Sequence, residues 1–424
     1  NECRSIRCDS GKIRKNLITM AIWVISELYY PEESATGHYM TNIAEHLAKF
    51  FPVNVLSVQP SYSAKGIHVP TYEIRNGVNI CRVFSTKFDK DKILLRLLNI
   101  FTISFSIFIN LLKKLKKQDV VFVVTNPPTL PYVAAIACKI KKTKLILRVD
   151  DVYPDVLSAA GLIRKNSYVY KFFNLLSKWL YCSSDRIVVL GDDMMQLIKD
   201  KLSNKKIIDK VVTITNWSDN KDVKPEAKIN NILLKELKLT EKFIVQCAGN
   251  IGKAQDIECL FEAAKILKNV DDIHFLFVGG GAKKNWLEKS VHDNGLKNIT
   301  VIPNRPRKDQ NVFLNACDIA LLSLIPGMWG VSVPSRFYNI LAAGKPVIGV
   351  VDKYSEIGNV ITKENIGWVS PPGQPAQLAD TIIDAYNSQN TLIQIGKKAR
   401  VLADNKFSEQ IIKDYYFKLF NKLI

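Results

Sequence analysis

A chain of 424 residues that is 47% hydrophobic can bury two ordinary cores. Its eight cysteines form no CxxC pair and have no His-rich neighbourhood, which argues against zinc and reads as free buried thiols of a reducing compartment. A formal charge of +19 asks for an anionic partner, whether nucleic acid, a lipid surface or a phosphorylated metabolite; residues 1–220 hold 32 Lys and Arg against 19 Asp and Glu, so the excess sits in the first half.

Residues 1–15, "NECRSIRCDSGKIRK", are polar and basic without the apolar core of a signal peptide, and read as a disordered lead. Apolar, β-branched runs follow at 20–28, 53–59, 120–125, 144–149 and 186–191, separated by helical spacings such as 38–50 and 166–182. The second half repeats the rhythm at 243–249, 273–281, 299–303, 319–324 and 345–351. Near-continuous apolar strands, each followed by a helix, predict α/β architecture with two doubly wound, Rossmann-like parallel sheets covered on both faces. The division falls in "TNWSDNKDVKPEAK", 215–228, where apolar periodicity stops. The expected domains are 16–215 and 216–405, with 406–424 a last helix packing back on the first domain. Ligands of such sheets bind at the carboxyl ends of the strands, here in the cleft between the domains.

Chemistry is therefore sought in the loops after strands. Gly37 stands just ahead of a helix, either as a plain turn or with its N–H ready for an acceptor oxygen or phosphate. In "LRVDDVYPDV", Arg148, Asp150, Asp151 and Asp155 crowd the end of a buried strand, as a functional cleft or as a structural ion-pair cluster. The loop "CAGNIGKAQ" sets Gly249, Gly252 and Lys253 between a strand and a helix, the arrangement of a phosphate cradle but not of a Walker A loop. "FVGGGAKK" lacks the dinucleotide fingerprint and predicts a tight turn lining the cleft. In "VPSRFYNILAAGKPVI", Pro334 and Ser335 open a helix that Gly344 closes. Arg336 in the first turn opposes the macrodipole by about 0.3–1 kcal/mol, a sign that a bound anion would reverse.

The array "ATGHYMTNIAEHLAK", "LILRVDDVYPDVLSAAGLI", "ITNW", "CAGNIGKAQ", "VGGG" and "VPSRFYNILAAGKPVI" resembles the family-4 retaining glycosyltransferases, in order over about residues 20–420. It is most similar to the branch that builds O-antigen, capsule and colanic acid. The resemblance implies a GT-B fold, with the nucleotide-sugar donor on the C-terminal domain and the acceptor mainly on the N-terminal one. It implies donor contacts at Gly37, Gly249, Asn250, Gly252, Gly280, Gly281, Ile302, Ser335 and Asn339. It further implies acceptor contacts at His38, Arg148 and Asp150, and catalytic roles for Asp151, Lys253 and Arg336.

The sequence departs from the family where relatives carry two glutamates eight positions apart, here Val331 and Asn339, and where they carry Arg and Lys, here Asn250 and Gln255. Lys253 and Arg336 are then left to neutralise the departing diphosphate.

The implied reaction retains anomeric configuration by front-face attack, with no protein nucleophile, cofactor or metal. Asp150-Asp151 is set aside as a GT-A type metal motif because the two-domain pattern does not suit it. The expected donor is a UDP-N-acetylhexosamine and the acceptor a lipid-diphosphate-linked saccharide. A UDP-N-acetylglucosamine 2-epimerase of the same architecture is the alternative; a nucleic-acid binder lacks aromatics interleaved along a basic stripe.

Residues 93–117 are uncharged from Leu97 to Leu112 and end in Lys113, Lys114, Lys116 and Lys117. Sixteen residues interrupted by Asn, Thr and Ser are read as too short and polar to span a bilayer. They are read instead as a helix on the sheet that docks an anionic membrane surface, giving a cytoplasmic protein held peripherally at the inner face of the cell membrane.

Overall fold

The computed structural model describes residues 20–62, 64, 66–89, 92–202 and 205–424, with the side chains of Lys205 and Lys206 left out. The proposed lead, Cys3 and Cys8 lie outside the described residues.

The first sheet is built from β1 (Ile22–Ile25), β2 (Val53–Val58), β3 (Tyr72–Arg75), β4 (Val78–Val83), β5 (Val120–Val124), β6 (Lys144–Arg148), β7 (Arg186–Val189) and β8 (Val211–Thr213). Its order is β3-β4-β2-β1-β5-β6-β7-β8, parallel except for the β3–β4 hairpin. That hairpin turns on Asn76-Gly77, both at positive φ (48° and 82°), the two-residue turn whose twist matches its strands. The second sheet comprises β9 (Phe243–Ala248), β10 (Ile273–Val278), β11 (Ile299–Ile302), β12 (Ile319–Ser323), β13 (Val347–Val350) and β14 (Gly367–Ser370), in the order β11-β10-β9-β12-β13-β14. Strand order therefore reverses between β1 and β5 in one domain and between β9 and β12 in the other, where crevices open at the carboxyl ends.

The helices that matter for the cleft and its flanks are α1 (Ala35–Leu47), α2 (Ile93–Lys114), α3 (Leu130–Lys141), α4 (Tyr168–Ser183), α5 (Asp192–Lys201), α6 (Ile257–Ile266) and α7 (Lys284–Asp293). They continue with α8 (Arg336–Ala342), α9 (Glu356–Glu364), α10 (Pro375–Asn387), α11 (Gln389–Asn405) and α12 (Glu409–Leu423). The strand period of two sorts side chains to opposite faces. Ile22, Val24, Val120 and Phe122 pack towards α1 and α12, while Trp23, Ile25, Val121 and Val123 pack towards α2 and α3. The chain crosses to the second domain after β8 with Asn216, Trp217 and Ser218 fully buried. It returns at residues 406–408, where Ser218 bridges Ser408 and donates its hydroxyl to the carbonyl of Phe407 at 2.8 Å.

α12 belongs to the core of the first domain. Ile412, Tyr416 and Phe420 are buried there, and the Phe420 ring meets Phe122 edge-on at 5.6 Å.

α2 corrects the sequence estimate of that segment. It runs 22 residues, and an 18-residue stretch of it has a mean hydropathy of 1.8, long and apolar enough by length and composition to cross a membrane. It is nonetheless a crossover between β4 and β5 of one sheet, seated by Ile103, Ile107 and Leu111. Buried Asn99 accepts from the N–H of Phe88 at 3.0 Å and donates to its carbonyl at 2.9 Å, and Ser104 bonds Thr129 at 2.7 Å. The opposite side exposes Ile93, Leu94, Leu97, Leu98, Phe101 and Phe105.

Truncating Phe420 to Ala is expected to destabilise the first domain by about 3–5 kcal/mol, the cost of emptying a buried aromatic site. A lowered urea midpoint for tryptophan fluorescence checks this.

Candidate active site

In the second domain the loops after β9 and β10 are zipped together. Gly249 N–H donates to the carbonyl of Val278, Ile251 N–H to Gly280 and Lys283 N–H to Ile251, at 2.8, 2.8 and 2.9 Å. The approach is so close that a Cβ on Gly279 would stand 1.8 Å from the carbonyl oxygen of Gly249, and one on Gly281 2.5 Å from that of Ile251. Glycine is thus required by packing between two loops thirty residues apart, which single-loop reasoning could not see. A Cβ on Gly280 would meet only the Asn304 Cβ, at 4.0 Å, Asn250 is exposed, and Gly252 N–H is held by the side chain of Gln255 at 3.1 Å.

Arg336 is the first residue of α8 and reaches across this loop pair. Its guanidinium donates to the carbonyls of Ala248 at 3.2 Å and Asn250 at 3.1 Å, lying over Gly249. Ser335 takes the cap position in helical geometry and makes no capping bond, leaving its hydroxyl to the cleft. With α8 only seven residues long, cationic side chains dominate the local field over the helix dipole. Lys253 is exposed on the same loop and makes no ion pair with the described residues.

Facing this from the first domain, Asp150 and Asp151 follow β6. Thr125 at the end of β5 accepts both their N–H groups, at 3.0 and 3.3 Å, and Thr36 on α1 lies 3.3 Å from Asp150 Oδ2. Asp151 crosses the interface: it pairs with Ser332, and its neighbour Val152 donates to the carbonyl of Val331 at 2.9 Å. Burial raises the Asp151 carboxyl to about 6, helped by the charge of Asp150 and opposed by the Ser332 hydroxyl. Between the two walls lies a cavity of about 330 Å³, lined by Thr36, Asp150 and Asp151 on one side and by Gln255, Ser335 and Arg336 on the other.

Several residues named from the sequence are committed elsewhere. Arg148, in the wall of the cleft cavity, is 1% exposed and donates to Asp150 Oδ1 at 2.7 Å, Tyr416 Oη at 2.5 Å and Asn216 Oδ1 at 2.6 Å, so its donors tie strand, linker and α12 together. His38 contacts Arg307, which also holds Asp219, at 3.1 and 3.0 Å. Burial and that cation push the imidazole down to about 3, leaving it neutral in an interdomain brace. Gly37 N–H is spent on the Ser34 cap at 3.2 Å. Asn339 is buried and accepts from Asp219 N–H at 3.0 Å, and Ile302 is a core residue whose carbonyl receives Gly279 N–H at 3.0 Å. Asp155 is buried against Lys201 and Tyr170.

The sequence reading missed Thr36, Thr125 and Ser332, and named Gln255 only as a departure from the family. Thr36 and Thr125 stand at a helix start and a strand end, where such side chains are natural partners for backbone; Ser332 carries no local signal, because its partner is fixed only by domain approach.

The domains are also capped against each other. Asp193 at the start of α5 accepts the N–H groups of Gly330 at 3.2 Å and Glu356 at 2.9 Å, and Glu356 at the start of α9 accepts Asp192 N–H at 2.9 Å. Burial raises both carboxyls.

Two α/β sheets facing across such a cleft define a GT-B protein. The family described as Glycosyl transferases group 1 matches residues 228–402. The chain is 30% identical over 397 residues to "Probable glycosyltransferase WbjE" of Pseudomonas aeruginosa, covering 92% of this chain and 95% of that one. It is 25% identical over 356 residues to WcaI of Escherichia coli (strain K12), named for colanic acid biosynthesis, covering 80% and 86%. Among solved structures, Anabaena HepE in complex with UDP-glucose superposes with a TM-score of 0.71 at 14% identity, over 95% of this chain and 99% of that one. The chain belongs to the group 1 glycosyltransferases.

Because the folded Asp151 carboxyl titrates above its ordinary value of 3.8, its stabilising contribution is complete below that value and is lost as pH rises through about 6. Asp151→Asn is therefore expected to raise the melting temperature at about pH 8 and to change it little at about pH 4. Scanning calorimetry at the two pH values checks this.

Proposed function

We propose that the protein is a retaining, metal-independent glycosyltransferase that moves a sugar, an N-acetylhexosamine, from its UDP donor to a lipid-diphosphate-linked saccharide in surface polysaccharide biosynthesis. The observation that carries this reading is the opposition of Arg336 to Asp151 across one cavity, with Lys253 exposed on the neighbouring loop. The UDP-glucose complex of HepE and the naming of WcaI support the donor and pathway class.

The donor diphosphate lies on the Gly249 loop, where Arg336 and Lys253 stabilise the charge that grows as the bond from the anomeric carbon to phosphate oxygen breaks. The acceptor hydroxyl attacks the same face and its proton passes to the departing phosphate oxygen, so configuration is retained without a protein nucleophile. Asp151 holds a hydroxyl of the reacting sugars, which positions them in the cavity. Two cationic side chains supply the charge stabilisation that a metal supplies elsewhere, which is why the reading needs none.

The same reading places the protein in the cytoplasm at the inner face of the membrane. Next to the exposed apolar strip of α2, α4 exposes Tyr168, Val169, Phe172 and Leu175, and α3 lies between them. Exposed Lys113, Lys116 and Lys117 border the strip, with Lys114 against the Tyr72 ring. An apolar face rimmed by lysines matches an anionic lipid surface in both respects.

Lys253→Ala and Arg336→Ala are each expected to lower kcat/KM for donor by about 10²-fold or more. Near-normal kinetics in both variants removes the site assignment. Product from UDP-sugar incubated without acceptor, read by mass spectrometry, would instead mark an epimerase. The chain is also expected to sediment with anionic but not neutral vesicles, in a salt-sensitive way that is lost when Lys113, Lys114, Lys116 and Lys117 become Gln. Equal sedimentation with both vesicle types counts against membrane docking.

A further inference from the structure

With His38 and Arg148 engaged inside the fold, the acceptor side needs another location, and a second cavity supplies one. A space of about 500 Å³ opens where β1 and β5 diverge, between the loops after those strands, the start of α1 and the first turns of α2. Ala35 and Thr36 line this space and the cleft cavity alike, so the two are neighbours at the foot of α1, beside Asp150.

Its wall carries groups of several kinds. Thr36, shared with the cleft cavity, is joined by Asn126 and by Tyr153, whose phenol burial keeps protonated. Arg96 is the one cation among the described residues of the wall, and its guanidinium makes no hydrogen bond or ion pair with the described residues. The carboxylate in the wall, Glu27, accepts the Ser61 hydroxyl at 3.1 Å. Beyond Arg96, on the outer side of α2, lie exposed Leu94, Leu97 and Phe101. Hydroxyl-binding groups, a cation without a partner among the described residues and an adjoining apolar strip match a saccharide, a diphosphate and a hydrocarbon chain.

We infer that this second cavity seats the head of a lipid-linked acceptor, with Arg96 on its diphosphate and the lipid chain leaving along Leu97 and Phe101. The inference rests on the acceptor reading above and deepens it. A planar guanidinium can hold two phosphate oxygens at once, which an ammonium cannot. Arg96 thereby sets specificity for acceptors bearing a diphosphate, and takes no part in bond making.

The full chain in neutral detergent, with UDP saturating the donor site, is titrated with geranylgeranyl diphosphate, geranylgeranyl phosphate, geranylgeraniol and inorganic diphosphate. The diphosphate ester is expected to bind at least about tenfold more tightly than the alcohol, with the monophosphate between them and inorganic diphosphate weaker than the ester. Arg96→Ala should remove the preference over the alcohol, Arg96→Lys should keep part of it, and UDP affinity should be unchanged in both. Equal binding of ester and alcohol, an undiminished preference in Arg96→Ala, or inorganic diphosphate binding as tightly as the ester overturns the inference. Failure of the wild-type chain to bind UDP counts against the donor reading instead.

Discussion

The Arg148 guanidinium is the point on which the molecule's geometry hangs. A buried cation is tolerable only when its donors are used, and removing one partner strands the charge. Here the partners are Asp150 beyond the same strand, Asn216 in the outgoing linker and Tyr416 in the returning helix. Both crossings between the domains are thus referred to one side chain at the end of β6. The distance from Asp151 to the Gly249 loop depends on that reference, because the cleft has no other covalent support.

Besides the apolar cluster that runs through both domains, the interactions that join them are polar and directional. The brace formed by His38, Arg307 and Asp219, the exchange of carboxylates between Asp193 and Glu356, and the backbone bond from Val152 to Val331 each join one domain to the other. The last two fix the segment 330–332 that leads into α8, so the placement of Arg336 is inherited from contacts made on the first domain. A site assembled in this way couples the approach of the domains to the charge presented to the donor.

Much of the fold was legible because parallel strands buried on both faces leave unbroken apolar runs, as at 120–124 and 319–323. β3 and β4 were passed over although Asn76-Gly77 marks their turn, and β14 was missed because an edge strand with half-buried residues lacks such a run. In the site, Arg336 could be placed from helix-start chemistry alone. Its partners could not, since they are carbonyls more than eighty residues away. The partners of His38, Arg148 and Asn339 were hidden for the same reason: a polar residue in a motif declares its chemistry locally, but its long-range contacts appear only in the fold. The segment 93–117 was read with its basic end, but its span was counted only from Leu97 to Leu112, so the full length of α2 and the position of Arg96 beside a cavity were lost.

The seating of α12 on the first sheet has a consequence for biosynthesis. Tyr416 and Phe420 complete a core otherwise made from residues 22–217. As the chain emerges from the ribosome, the second domain has all of its strands available while the first still exposes the apolar face that α12 will cover. The order of completion is therefore the reverse of the order of synthesis, and the early domain needs protection from aggregation until the late helix arrives.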